Sequence, residues 1–136
     1  MKFRFVKDLT SDVVFEAYGK TLKELFENSA LALFTVICDV KKVGTNKSKK
    51  IKIEGDDVKD LMFNWLQELI SIVDIDGLFL SKFSVNKINE KMLEAIVYGE
   101  EAKPEKGITV VKAVTYYKFD VKKTKNGYKA TVALDI

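Results

Sequence analysis

The sequence predicts an α+β domain in which two amphipathic helices pack on a mostly antiparallel or mixed β-sheet. Two stretches carry apolar residues at helical spacing, each behind a residue suited to cap a helix N-terminus. Segments of alternating apolar and polar residues flank them, and in the second half of the chain turn signals separate such segments from one another. Together these give the element order β-β-α-β-α-β-β-β-β, strands and helices mixed around one core. With 136 residues, 47% of them hydrophobic, the chain suits a single domain over 1–136 with a sizeable interior.

Phe3 and Phe5 alternate with Lys2 and Arg4, and Val13 to Tyr18 alternates again, so two strands are expected around the polar bend Asp8-Leu9-Thr10-Ser11-Asp12. Thr21 followed by Glu24 makes a capping box, and Leu22, Leu25, Phe26, Ala30, Leu33, Phe34 and Ile37 share one helical face, predicting a helix over 21–38. Lys41 to Lys50, rich in Lys, Gly, Asn and Ser, reads as an exposed loop, and Ile51 and Ile53 as a short strand. Asp56-Asp57 opens a second helix through Val58, Leu61, Met62, Trp65, Leu66, Leu69, Ile70 and Val73, ending near Asp76-Gly77, with Trp65 in the core. Four strands follow, 78–85, 92–98, 109–121 and 128–136. A two-residue turn at Asn126-Gly127 would pair Lys118 with Asp135 and Tyr117 with Ile136. Tyr116 and Tyr117 would then face opposite sides of one strand, one in the core and one at its rim.

Composition narrows the function. The chain has no histidine, which removes the usual general base, the usual transition-metal ligand and every Ser-His or Cys-His dyad. Any metal must be held by oxygen. The net charge of +3 rests on lysine, with Arg4 the only arginine, which disfavours sequence-specific reading of DNA or RNA. Cys38 lies in the apolar run Thr35-Val36-Ile37-Cys38 and reads as a small buried hydrophobe. The start MKFRFVKDL lacks the continuous apolar stretch of a secretory signal, and no run is long enough to span a membrane, so a soluble, cytoplasmic protein is expected.

Motif by motif, most chemistry falls away. Gly19-Lys20-Thr21 resembles the tail of a phosphate loop, but Val14 stands where the first glycine is needed. Asp74 and Asp76 before Gly77 suggest a calcium loop, yet Val85 occupies the position of its bidentate glutamate. What remains is Asp8 and Asp12 in the bend, with Asp135 and the Ile136 carboxylate at the end of the last strand, where an ordered backbone is expected to hold the terminus in place. Oxygen ligands gathered from distant parts of a chain suit calcium or magnesium. Ordinary capping and ion pairing, including an exposed Lys118–Asp135 pair, explain the same residues equally simply.

Three long strings resemble one family from end to end: FRFVKDLTSDVVFEAYGKTLKELFENSALALFTVICD, IEGDDVKDLMFNWLQELISIVDIDGLFLSKF and VKAVTYYKFDVKKTKNGYKATVALDI. They are similar to the archeases. The resemblance implies a protein with no catalysis of its own, an accessory factor to the RtcB-type RNA ligase of tRNA splicing and RNA repair, which promotes ligase guanylylation by GTP and multiple turnover. It implies a metal site on Asp12, Asp135 and Ile136, with calcium the usual ion and magnesium the substitute. Asp8, Tyr117 and Lys118 become candidates for docking the partner or supporting the ligands, and RNA is met only through the ligase.

Two positions depart from the family pattern. Asp-His-Thr-Ala-Asp is here Asp8-Leu9-Thr10-Ser11-Asp12, and Ala-Val-Thr-Tyr-His is here Ala113-Val114-Thr115-Tyr116-Tyr117. Any role of those histidines must be filled otherwise or be weaker here. Two other classes compete: a small metal-dependent phosphohydrolase or nuclease built on the same carboxylates, and an RNA-binding module built instead on Lys41, Lys42, Lys47, Lys49 and Lys50.

Overall fold

The computed structural model describes residues 1–7 and 12–136. The predicted element order holds, with seven strands and two long helices, but the strands form two antiparallel sheets instead of one. The first runs β1 (Phe3–Val6), β2 (Val13–Gly19), β7 (Gly127–Asp135), β6 (Ala113–Thr124) in spatial order; the second runs β3 (Lys47–Glu54), β5 (Met92–Glu101), β4 (Leu78–Ile88). The helices α1 (Leu22–Ile37) and α2 (Val58–Ser71) bridge them, α1 touching β2 and β4, α2 touching β6 and β3.

Because α1 has a sheet on either side, it is buried almost all round: Leu25, Phe26, Ala30, Leu33 and Phe34 are each fully inaccessible. The one polar residue buried with them, Ser29, donates its hydroxyl to the Leu25 carbonyl at 2.8 Å, which satisfies it. Capping follows the sequence: Thr21 Oγ1 accepts from the Glu24 N–H at 3.2 Å, and the Glu24 carboxylate accepts from the Lys20 N–H. In α2 Asp57 accepts from the Asp60 N–H at 2.8 Å. The helix widens into a π-type turn over Ile72–Asp76 and stops at Gly77, whose φ of 66° a side chain would resist. Trp65 is fully buried and donates its Nε1–H to the Phe26 carbonyl at 3.0 Å, tying α2 to α1.

Three expectations are corrected. Lys47 to Lys50 are not loop but the start of β3, paired with β5 from Lys47↔Gly99 onward. Lysine on a sheet edge blunts edge-to-edge association, and that composition hid the strand. The segment expected to be strand from Thr109 instead joins the sheet only at Ala113, where β6 begins; just ahead of it the Ile108 N–H donates to the Ile37 carbonyl at 2.9 Å. Finally, the β6–β7 turn is at Lys125-Asn126, since Thr124 pairs with Gly127. Gly127 serves close packing, because a Cβ there would collide with the Gly19 carbonyl of β2.

One hydrophobic cluster draws on both helices and both sheets, from Phe15 to Leu134. Cys38 is part of it, and burial pushes its thiol up to about 12, so it packs as an inert small group. Among the described residues no helix is long and apolar enough to cross a membrane.

Candidate functional site

The β2–β7 ladder decides which candidates meet. Its last pair is Val13↔Leu134, so Asp12 and Asp135 each stand one residue beyond it, on adjacent strands at the same end. An antiparallel step is about 3.4 Å and opposed Cβ atoms lie about 5 Å apart, so the two carboxylates start within reach of a shared ion. On its other side Asp135 pairs with Ala113, and its carbonyl accepts from the Lys112 N–H at 2.8 Å. The residue before Ile136 is therefore held from the β6 side, while β2 pairs up to Leu134. Asp12 is half-buried, while Asp135 and Ile136 are exposed. Asp8 and Leu9 lie outside the described residues.

Lys118 does not face Asp135, and Tyr117 does not face Ile136; Ala113 takes the place opposite Asp135. Between Thr115↔Ala133 and Asp120↔Thr131, β6 spends Tyr116 to Phe119 against the single residue Val132. The cause is legible in burial. Val114 and Phe119 are both 5% exposed in the core cluster, yet five residues apart, and an unbroken strand puts residues an odd number apart on opposite faces. A bulge resolves the conflict. It carries Lys118 at φ 55°, left-handed backbone uncommon for a residue with a side chain. The bulge lies opposite Val132, three residues along the ladder from Asp135, about 10 Å at the usual strand rise. Tyr117 is 42% exposed with Lys118 Nζ 5.3 Å over its ring, and Tyr116 is 73% exposed and stacked on Phe63 at 4.3 Å. Neither tyrosine is core, contrary to the expectation from alternation.

Glu16 shares the Asp12 face of β2 but has a different job. Its carboxylate takes the Arg4 guanidinium at 2.7 Å, the Tyr18 hydroxyl at 2.8 Å and Lys129 Nζ at 2.9 Å. Lys129 above all, then Tyr18 and Arg4, hold its carboxyl down to about 2 despite the cost of burial. It is a structural clamp across β1, β2 and β7. Since the folded pKa lies below the ordinary 4.5, its contribution is complete above that value and is lost as pH falls from about 4.5 towards 2. The limit is about 3 kcal/mol, reduced by solvent around the exposed Arg4. Acid titration of unfolding free energy should show this slope, and Glu16→Gln should flatten it; an unchanged slope would assign acid sensitivity elsewhere.

Comparison with known proteins places the chain in a family. The model of the archease protein family (MTH1598/TM1083) matches residues 3–136. The chain belongs to the archease family. An archease from Methanosarcina acetivorans is 40% identical over 133 residues, 93% of this chain and 91% of that protein. The solution structure of Methanobacterium thermoautotrophicum protein 1598 superposes with a TM-score of 0.83 at 35% identity, covering 99% of both chains. The crystal structure of an archease, possible chaperone, from Thermotoga maritima shares the fold, with a TM-score of 0.69 at 17% identity over 98% of this chain and 97% of that one.

For a family member the chemistry of the donor set matters more than its size. Among the described residues no three His, Cys, Asp or Glu side chains cluster as an ion site. The side chains at the ladder end are Asp12 and Asp135, with Ile136 next after β7. Both aspartates carry hard anionic oxygens, which fit calcium or magnesium and not a soft metal. On the face shared with Asp135 and Ala133, Thr115 Oγ1 is buried without a hydrogen-bond partner among the described residues. Such an orphan suits a place where an ion-bound water would complete the bonding. Sequence reading missed Thr115 and the backbone of Lys112, because both enter through the pairing of β6 with β7. The apolar pocket of about 320 Å³ lined by Ile37, Ile70, Phe79, Ile108 and Val111 shares no residue with this end and holds only Asp74 as a charged group.

Proposed function

We propose that this protein is a non-catalytic, cytoplasmic activator of an RtcB-type RNA ligase, promoting guanylylation by GTP and repeated turnover through the end of the β2–β7 ladder. The observation that supports this reading is the register Val13↔Leu134, which sets Asp12 beside Asp135 and Ile136 in a member of the archease family. Asp12, Asp135 and Ile136 would hold a calcium or magnesium ion. When bound, the ion offsets the mutual repulsion of these carboxylates and leaves an oxygen-lined cation at an exposed tip.

The chain's own residues then do the docking. Asp135 and Ile136 project from a strand anchored on both sides, so the tip enters a partner's cleft without first being ordered, which lowers the entropic cost of association. The bulge supplies an adjacent aromatic and cationic contact through Tyr117 and Lys118. An activator of this kind need only bind the guanylylation-competent ligase better than the incompetent one, and that difference sets how far it shifts the equilibrium. No nucleophile or general base is required of it, in keeping with a chain that has no histidine. Leu9 and Tyr117 stand where family members carry histidine, so the aromatic–lysine pair substitutes for whatever contact one of those made.

The test is formation of the ligase–GMP adduct with limiting GTP. Adding this protein to the cognate ligase should raise both the rate of adduct formation and the number of RNA joins per ligase. Equal adduct yield with and without it would exclude the activator role. Hydrolysis of a phosphodiester by the isolated protein, abolished by chelation, would replace it with an enzyme reading.

A further inference from the structure

The sheet β3-β5-β4 has one face turned to the helices and one left open. Along β5, Leu93, Ala95, Val97 and Gly99 are buried, while Met92, Glu94, Ile96 and Tyr98 between them are half-exposed, so nothing covers the outer side. Register places their neighbours on that side. On β3, Ser48, Lys50 and Lys52 oppose Tyr98, Ile96 and Glu94. On β4, Lys82, Ser84 and Lys87 oppose the same three residues. An apolar and aromatic stripe thus runs down the central strand with lysines on both flanks.

Four lysines stand there against Glu94 and, at the end of β3, Glu54. Glu94 is already 3.9 Å from Lys87, and among the described residues Lys50, Lys52 and Lys82 have no carboxylate partner. Lys82 Nζ instead sits 5.2 Å over the Tyr98 ring. Two rows of lysines about 10 Å apart, only Lys87 among them paired with a carboxylate, on either side of a half-exposed ring, match a chain that alternates phosphates with flat apolar bases. An acidic protein surface would use the charges but leave the central stripe unexplained.

We propose that the open face of this sheet binds single-stranded RNA without sequence preference, Tyr98 stacking a base with Ile96 beneath its neighbour, and Lys50, Lys52, Lys82 and Lys87 meeting phosphates. The scarcity of arginine removes base reading and leaves this sequence-tolerant mode intact. It revises the expectation that RNA is met only through the ligase: the protein itself would hold a broken end near the enzyme it serves.

The experiment is fluorescence anisotropy of a short labelled single-stranded RNA of mixed sequence, with no ligase present, so that failure leaves the activator reading untouched. Binding should weaken with salt at a log–log slope of about −2 to −3, as three or four phosphate contacts imply. Tyr98→Ala should weaken it about tenfold through loss of one stacked base. Tyr98→Phe, which keeps the stacking ring, should bind like wild type, and an unchanged melting temperature of Tyr98→Ala separates its loss of binding from a folding effect. Lys50→Glu with Lys82→Glu should abolish binding, whereas Lys123→Glu with Lys125→Glu, on the other sheet's hairpin, should not. The proposal is overturned by absence of binding, by equal loss from the hairpin variant, or by Tyr98→Ala matching wild type, which would mark a plain polyanion surface. Capture of the ligase but not of RNA by this face would equally overturn it, in favour of an acidic protein partner.

Discussion

Trp65→Ala should remove about 4 kcal/mol of folding stability, read as a lower urea midpoint at unchanged slope. The indole is fully buried and ties the two helices together, its Nε1–H satisfied by the Phe26 carbonyl of α1. Truncation leaves a cavity walled by side chains of both helices, which cannot collapse without moving α1 between its two sheets. Against a total stability of about 5–15 kcal/mol for a domain, the variant would be marginal. Trp65→Phe keeps most of the volume and loses one hydrogen bond to a carbonyl that the α1 ladder still satisfies, so it should cost less, about 1–2 kcal/mol from the lost bond and reduced packing. A loss under about 1 kcal/mol for alanine would mean the helices are not packed through this residue.

The second large effect is on activity. Asp12→Ala and Asp135→Ala should each bring the stimulation of ligase guanylylation close to none, while the melting temperature barely moves. Coupling of about 1–3 kcal/mol, typical of an effector, corresponds to about a 5- to 150-fold effect, and that is the range in which the loss should be read. Both aspartates stand one residue beyond the last pair of the β2–β7 ladder, away from the hydrophobic core, so a melting temperature recorded beside the activity separates loss of function from loss of fold. Residues appended after Ile136 should act in the same direction by converting the third carboxylate into a neutral amide. If both alanine variants stimulate like wild type, these residues are not the working tip.

Much of this was legible because local rules agreed with the fold. Thr21 with Glu24, the carboxylates of Asp56-Asp57, and the apolar stripes behind them specify both helices without tertiary knowledge. The strands were found wherever one face is buried and the other wet, as in Met92–Glu101. Reading failed where a backbone feature was decided by a neighbour. The edge strand β3 hid under lysines, because an edge needs no second apolar face. Gly127 suggested the centre of a turn, whereas contact with Gly19 of β2 decides its use.

The candidate site shows the same division. That Asp12, Asp135 and Ile136 form a group was reachable from family resemblance, and the ladder supplies the physical reason, since β2 and β7 run side by side with their pairing ending one residue short of both aspartates. The partners of Asp135 were not reachable from a simple hairpin count. The misplaced turn and the bulge at Tyr116 to Phe119 together move the pairing by five residues, from Lys118 to Ala113. The signal was present in the odd spacing of two core residues, Val114 and Phe119, which an alternating strand cannot satisfy.

The account is tested most directly by calorimetric titration of calcium into the metal-free protein. It predicts one ion per chain for wild type, with binding weakened about tenfold or more by Asp12→Asn and by Asp135→Asn, since each removes an anionic oxygen of a small donor set. Glu16→Gln, in the same sheet but clamped by Arg4, Tyr18 and Lys129, should bind like wild type. Absence of a saturable event, or affinity indifferent to both aspartates, would contradict it.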